Sequence, residues 1–176
     1  MLLYLHIMKM GISIMERVSK VNYYLDIAEA ISSRSTCIRK KYGCIIVKND
    51  EIIATGYSGA PRGRKNCIDL GYCTKKKIFP DKHHSGYDAC RSVHAEQNAM
   101  ISAPRKDMID ASLYLVGVKT DGIYEEGASP CQMCRKMIIN SGISTVYTRI
   151  NKNEYQKFDV EEWVKNDDLL DGKIEY

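Results

Sequence analysis

The chain of 176 residues lacks most of the features that mark unusual protein classes. It has only 4 prolines and 12 glycines and no visible repeat, which excludes collagen-like and low-complexity architectures. Its net charge is only +4, which suits an anionic small-molecule partner and falls short of a strong nucleic-acid-binding surface. The hydrophobic content of 44% is typical of a folded globule, and we predict one domain over residues 16–176.

Long hydrophobic runs are also missing. The apolar stretch at residues 1–15 is shorter than the roughly 20 residues that a membrane span needs, and His6, Lys9 and Gly11 interrupt it. It has neither the basic start nor the small-residue cleavage site of a signal peptide. We therefore predict an N-terminal tail over residues 1–15 and no membrane partner.

The chain does contain seven cysteines. An odd number of cysteines without a secretion signal argues against a disulfide framework. It indicates metal ligands or thiols in a reducing compartment, so we predict a cytoplasmic protein.

The spacing of apolar residues predicts alternating helices and strands. A helical stripe runs from Glu16 to about Arg34, and two β-branched runs at 44–47 and 52–55 flank an Asn-Asp turn typical of an antiparallel hairpin. Further helices are predicted near 94–103, 131–140 and 160–166, strands at 112–118, 143–148 and 173–176, and an irregular segment at 64–92. This alternation favours a layered α/β domain.

Two short motifs carry the chemistry: His94-Ala95-Glu96, and Cys131 and Cys134 just after Pro130. Histidine nitrogen and cysteine sulfur are zinc ligands, and a catalytic zinc keeps three protein ligands and an open fourth position. Glu96 need not bind the metal, and a hydrolytic site needs a carboxylate beside the water that zinc activates. This H-x-E and P-C-x-x-C combination is the signature of zinc deaminases, with the glutamate as general acid and base.

Each motif alone has a simpler interpretation. His94 by itself is compatible with a helix cap or a core histidine, and Cys131 with Cys134 is compatible with half of a zinc ribbon or with a redox pair. The order and combination of the motifs favour the deaminase.

Beyond these motifs, longer segments resemble the deoxycytidylate (dCMP) deaminases of the cytidine deaminase superfamily. The resemblance runs from about Ser19 to Thr148 and includes YGCIIVKNDEIIATGYSGAPRG, Asn66-Cys67, VHAEQNAM and SPCQMCRKMIINSGISTVY. It implies a three-layer α/β/α fold with a roughly five-stranded mixed sheet. It also implies zinc-dependent hydrolysis of dCMP to dUMP and ammonia, a homo-oligomer, and dCTP and dTTP as effectors acting near the loop at 56–63.

Two features depart from the family pattern. Ser58 stands where the family usually has an asparagine that helps hold the substrate sugar, so the resemblance makes Ser58 a candidate substrate contact. The connection at 119–129 is longer than the family's usual link into Pro130, and we expect it to reshape the rim of the pocket or an oligomer contact.

Some family members carry a second, structural zinc, and the resemblance assigns two of its ligand positions to Cys37 and Cys67. Cys73 and Cys90 lie in the long segment at 64–92 and would complete a four-cysteine site. The alternatives are free thiols, or His83 or His84 in place of one cysteine.

Two further residues are candidates for nucleotide contacts, one from the resemblance and one from its place at the end of a predicted strand. Arg105 matches a family position linked to nucleotide binding and regulation, and its alternative is a cation at a helix C-terminus. Tyr147 ends a strand expected to face the site, where it would border the base, and its alternative is core packing.

The sequence thus predicts a zinc-dependent enzyme that deaminates a cytosine nucleotide. Two alternatives stay open: an RNA- or free-base-directed deaminase of the same superfamily, and a zinc-bearing assembly or competence-type protein without turnover. The low net charge argues against the first, and the presence of Glu96 argues against the second.

Overall fold

The computed structural model describes residues 17–80, 89–125, 127–166 and 170. The predicted tail at 1–15 and the predicted strand at 173–176 lie outside the described residues. Along the described part the elements follow in the order α1 (Lys20–Ser32), β1 (Lys40–Lys48), β2 (Glu51–Tyr57), α2 (Cys67–Leu70), α3 (Thr74–Ile78), α4 (Ala95–Ile101), α5 (Arg105–Met108), β3 (Ser112–Lys119), α6 (Gln132–Ser141), β4 (Thr145–Arg149), β5 (Tyr155–Asp159) and α7 (Val160–Lys165).

The five strands form one mixed sheet in the order β2-β1-β3-β4-β5. Only β3 and β4 pair in parallel, and the other neighbours are antiparallel. The β1–β2 hairpin is confirmed, and its two-residue turn places Asn49 and Asp50 at positive φ values of 49° and 71°. Such a turn matches the right-handed twist of the two strands, and asparagine and aspartate tolerate it well.

Alternating side chains along the strands supply two separate cores. On one face Ile45, Val47 and Tyr114 pack against α1, mainly through Leu25 and Ala28. The opposite face carries a larger cluster whose buried members come from the sheet, α4, α6 and the start of α7, including Cys44, Ile46, Ala99, Leu113, Ile138 and Val160. Helices on both faces of a five-stranded mixed sheet confirm the predicted three-layer α/β/α fold.

The structure corrects the sequence prediction at three places. Strand β5 was not predicted, because four of its five residues are exposed and its two aromatic residues, Tyr155 and Phe158, do not follow the two-residue period of a strand. The segment at 64–92 is not wholly irregular, since it contains the short helices α2 and α3. Helix α5 was also missed, and at four residues it is too short to show a helical period.

No helix among the described residues has the length and apolar character that crossing a membrane requires.

Two strand glycines allow the helices to lie close to the sheet. A Cβ at Gly43 would lie 2.0 Å from the carbonyl oxygen of Ala28 in α1. A Cβ at Gly56 would lie 2.2 Å from the carbonyl oxygen of Ala95 and 2.4 Å from the amide nitrogen of Ala99, both in α4. Because the backbones themselves are in contact, a side chain at either position would push a helix away from the sheet.

Gly56→Ala tests the second contact. We expect the free energy of unfolding to fall by about 1–3 kcal/mol, since the added methyl group meets helix backbone and not a flexible side chain. Urea unfolding with an unchanged m-value would measure this loss. The neighbouring exposed Thr55→Ala is the control and should change stability by less than about 0.5 kcal/mol. Equal stabilities of the two variants would contradict the close approach of α4.

Candidate active site

Two helix N-termini meet on the larger core face of the sheet. His94 is the N-cap residue of α4, and Cys131 is the N-cap residue of α6 with Cys134 in its first turn. The Gln97 side chain accepts a hydrogen bond from the His94 backbone N–H at 3.0 Å, which fixes the start of α4. Gly142 caps the C-terminus of α6, and its φ of 84° is the left-handed conformation that glycine adopts readily.

The structure brings His94, Cys131 and Cys134 together. The His94 Nδ1 atom lies 3.6 Å from Cys131 Sγ and 3.5 Å from Cys134 Sγ. All three ligand atoms lie within 4.8 Å of one another, and no other such group of three occurs among the described residues.

These distances fit zinc. Bonds of about 2.1 Å to nitrogen and 2.3 Å to sulfur, at a tetrahedral angle, hold N and S about 3.6 Å apart. A hydrogen bond with Cys134 lowers the pKa of the Cys131 thiol well below its usual range, which favours the thiolate form that binds metal. One histidine and two cysteines leave a fourth tetrahedral position for water.

Glu96 lies in the first turn of α4, two residues after His94, and is only 4% exposed. Burial raises the pKa of its carboxyl group. A carboxyl with a raised pKa can both accept and release a proton closer to neutral pH. The buried thiol of Cys44 lies on the strand beneath, close enough that the charge of Glu96 adds to the effect of burial in raising the pKa of Cys44.

A cavity of about 250 Å³ opens onto these residues. His94, the buried Glu96 and Cys131 line it together with three further cysteines. Most of the other lining residues are polar or basic: Arg39, Lys40, Tyr42, Ser58, Lys75, Ser92 and Ser129. A small concave site with convergent polar groups is the usual form of a substrate pocket.

Ser58 lines this cavity, as predicted for a substrate contact, but protein groups surround its hydroxyl. Its Oγ accepts a hydrogen bond from the Tyr42 backbone N–H at 3.1 Å and lies 2.8 Å from the Ser35 hydroxyl. The Ser35 hydroxyl also lies within hydrogen-bond distance of the Ser58 carbonyl, at 2.8 Å. The serine therefore ties β1, β2 and the segment after α1 into one wall.

Two other candidates lie elsewhere. Tyr147 stacks on Tyr114 with ring centroids 4.9 Å apart, in the core beneath α1 and on the opposite face of the sheet from His94. Arg105 begins α5 and its Nε donates a 2.9 Å hydrogen bond to the Asn140 carbonyl, in the last turn of α6. Neither residue lines the cavity.

The other four candidate cysteines lie around the same cavity. Cys37, Cys73 and Cys90 line it, and Cys67 is buried nearby. The pKa of Cys67 is raised, mainly by burial. Smaller contributions come from the neighbouring thiols of Cys37, Cys73 and Cys90. The four thiols thus share one region, although their sulfur atoms are not gathered as closely as the His94 group.

Sequence reasoning missed two basic residues of the cavity wall, Arg39 and Lys40. They come just before and at the start of β1, so no local motif joins them to the site. The Lys40 Nζ atom lies 2.6 Å from Glu125 in the long connection after β3. The connection at 119–129 therefore contacts a residue that lines the cavity, in agreement with the expectation that this long connection affects the rim of the pocket.

Comparison with known proteins agrees with the deaminase motifs around His94 and Cys131. The model of the cytidine and deoxycytidylate deaminase zinc-binding region matches residues 18–150. A deoxycytidylate deaminase of Mycobacterium phage D29 is 35% identical over 136 residues, which are 75% of this chain and 95% of that protein. ComE operon protein 2 of Bacillus subtilis is 36% identical over 135 residues, 76% of this chain and 60% of that protein.

Among solved structures, the dCMP deaminase from cyanophage S-TIM5 in apo form is similar, with a TM-score of 0.50 and 31% sequence identity. The match covers 73% of this chain and 81% of that chain. Because the family model spans most of the chain and includes both the His94 and the Cys131 motifs, the chain belongs to the cytidine and deoxycytidylate deaminase family of enzymes.

Proposed function

We propose that this protein is a zinc-dependent hydrolase that converts dCMP to dUMP and ammonia. The observation that carries the proposal is the buried Glu96 carboxyl beside the His94, Cys131 and Cys134 group, at the inner end of a cavity with a basic rim. The name of the phage relative, deoxycytidylate deaminase, supports the choice of substrate.

His94, Cys131 and Cys134 would hold the zinc ion. When bound, zinc supplies the Lewis acidity that makes a water molecule a nucleophile near neutral pH. The three residues come from two helix starts, so the fold fixes the ligand geometry before the metal binds. Burial of Cys134 and Glu96 keeps bulk water away from the inner end of the site.

Glu96 moves the protons. Its carboxylate takes a proton from the attacking water as the oxygen bonds to C4 of the cytosine ring, and gives that proton to ring N3. It then carries a second proton from the new hydroxyl to the exocyclic amine, which leaves as ammonia. The C4–N bond breaks, the C4 carbonyl forms, and the carboxylate returns to its starting state.

The basic rim supports a nucleotide over a nucleoside. Arg39 is exposed and lines the cavity, and its guanidinium can bind two oxygens of a phosphate group. Lys75 lies on another part of the same wall. We infer that Arg39, with Lys75, binds the 5′-phosphate, while Ser58 forms part of the wall that faces the sugar.

We also propose a second, structural zinc held by Cys37, Cys67, Cys73 and Cys90. The support is that Cys37, Cys73 and Cys90 line the cavity and that their thiols, after burial, raise the pKa of the nearby Cys67. Zinc would hold together the segment after α1, helix α2, the start of α3 and the segment before α4.

The remaining proposals depend on the resemblance to the family. They are assembly into a homo-oligomer, regulation by dCTP and dTTP with Arg105 as a candidate effector contact, and work in the cytoplasm. The predicted contact of Tyr147 with the base is not proposed again, because its ring packs on the opposite face of the sheet. The seven free cysteines are consistent with a reducing compartment.

Ammonia release across four substrates tests the function. We expect dCMP to react with the highest kcat/KM, CMP and deoxycytidine to be poor substrates, and a tRNA stem-loop to be inert. A preference for the stem-loop would support the RNA-directed alternative. No turnover of any substrate by zinc-loaded protein would support the non-catalytic one and reject our proposal.

Glu96→Gln tests the proton shuttle. The amide keeps the size of the side chain but cannot take a proton from water, so we expect kcat for dCMP to fall by about 10²–10⁴-fold. Zinc content, measured by elemental analysis, should stay unchanged because all three ligands remain. The exposed Glu161→Gln is the control and should retain full activity. A variant at Glu96 with near wild-type kcat would contradict the assigned role.

Arg39→Ala tests the phosphate contact. Loss of a charge-assisted hydrogen bond should lower kcat/KM for dCMP by about tenfold or more and leave the low value for deoxycytidine unchanged. Arg62→Ala removes the same charge from an exposed loop position outside the cavity wall and is the control. If both variants lost the same factor, the effect would be general electrostatic attraction and Arg39 would not be a phosphate ligand.

Cys67→Ser tests the second zinc. We expect zinc to fall from two ions per chain toward one, and the melting temperature to fall, because the binding energy of a structural zinc also stabilises the fold. Cys44→Ala, at a buried cysteine outside both groups, should retain two ions. One zinc per chain in the wild-type protein, purified with care to retain metal, would rule out the second site.

A further inference from the structure

The turn that carries Cys131 depends on a contact from outside the motif. Pro130 is fully buried and precedes the N-cap of α6, so its carbonyl oxygen takes no part in the helical hydrogen-bond pattern. A buried carbonyl needs a donor, since leaving it without a partner costs free energy. The Arg135 Nε atom supplies this donor at 3.0 Å.

Arg135 is itself supported by the C-terminal helix. Its guanidinium carbon lies 5.2 Å from the centre of the Trp163 ring, within the range of a cation–π interaction. Trp163 belongs to α7 and also contacts the ring of Phe158 on β5, with centroids 5.7 Å apart. Both aromatic side chains pack against the larger core cluster.

The helix that presents Trp163 is firmly attached. Val160 is 5% exposed within the core, and its backbone N–H donates to the Ser144 carbonyl at 3.0 Å. The Asp159 side chain caps α7 by accepting from the Glu161 N–H. Trp163 is thus held in place by a segment that lies after residue 150, where the match to the family model ends.

We propose that Arg135 and Trp163 form a clamp that holds the Pro130–Cys131 turn in the geometry that binds metal. Arg135 is a positioning residue for Cys131, because it binds the carbonyl of the preceding Pro130. Trp163, on α7, holds the Arg135 guanidinium in place through the cation–π contact. This inference rests on the proposed zinc site. Groups that orient metal ligands commonly change metal affinity by 10- to 100-fold when they are lost.

The test measures zinc affinity by competition with a chromophoric chelator and, separately, the unfolding of the metal-free protein. Arg135→Met keeps the aliphatic stem but removes the donor to Pro130 and the cation over Trp163. We expect it to raise the zinc Kd of the His94 group by about tenfold. Trp163→Leu keeps apolar packing and removes the ring face, and we expect a smaller rise of a few-fold.

Four further variants sharpen this test. The double variant should bind zinc no more weakly than Arg135→Met alone, because the ring acts through the arginine. Lys136→Met removes a neighbouring exposed cation on the same helix and should leave the Kd unchanged. A Cys131→Ser protein, titrated in parallel, identifies which binding step belongs to the His94 group. Arg135→Lys, the mildest change, keeps the charge and should recover part of the affinity.

The outcomes separate the clamp from the proposed function. If Arg135→Met lowered the stability of the metal-free protein but left the zinc Kd at the wild-type value, the contact would stabilise the fold without orienting Cys131. That result would overturn the clamp. An additive loss in the double variant would overturn the link through Trp163. If the wild-type His94 group bound no zinc at all, the proposed function itself would fail.

Discussion

The whole site depends on the close approach of α4 to the sheet. Gly56 brings the helix backbone into contact with β2, and this places His94 and Glu96 at the inner end of the cavity. Helix α6 packs beside α4 on the same core face, so its first turn brings Cys131 and Cys134 to the same point. If α4 moved outward by the width of a methyl group, the His94 nitrogen would leave the distance from the two sulfurs that zinc requires.

Burial and charge then divide the cavity into two parts. One part holds the buried Glu96 carboxyl, whose pKa is raised, beside the His94, Cys131 and Cys134 group. The other part is formed by polar and basic residues from β1, α3 and the turns around them. The proposed anionic substrate would meet these cations at the opening, although the net charge of the chain is only +4.

Two segments outside the zinc-ligand motifs contact residues at or next to this cavity. The long link after β3 brings Glu125 to Lys40 on the rim, and α7 brings Trp163 to Arg135 behind the metal-binding turn. Both contacts join distant parts of the chain to elements that carry the site.

Features that depend on neighbours along the chain could be predicted from the sequence. These include the Asn49-Asp50 hairpin, the helix starts at His94 and Cys131, and the carboxylate of Glu96 two residues after His94. The sequence could not show which distant residues share the cavity, because that depends on the packing of the layers. The tertiary structure brought Arg39 to the rim, turned Tyr147 to the opposite face of the sheet, turned Arg105 toward Asn140, and paired β5 with β4 although β5 has almost no apolar pattern. The reason is that spacing fixes geometry over one turn of helix or a two-residue loop, whereas the face and depth of a remote side chain depend on how the layers pack.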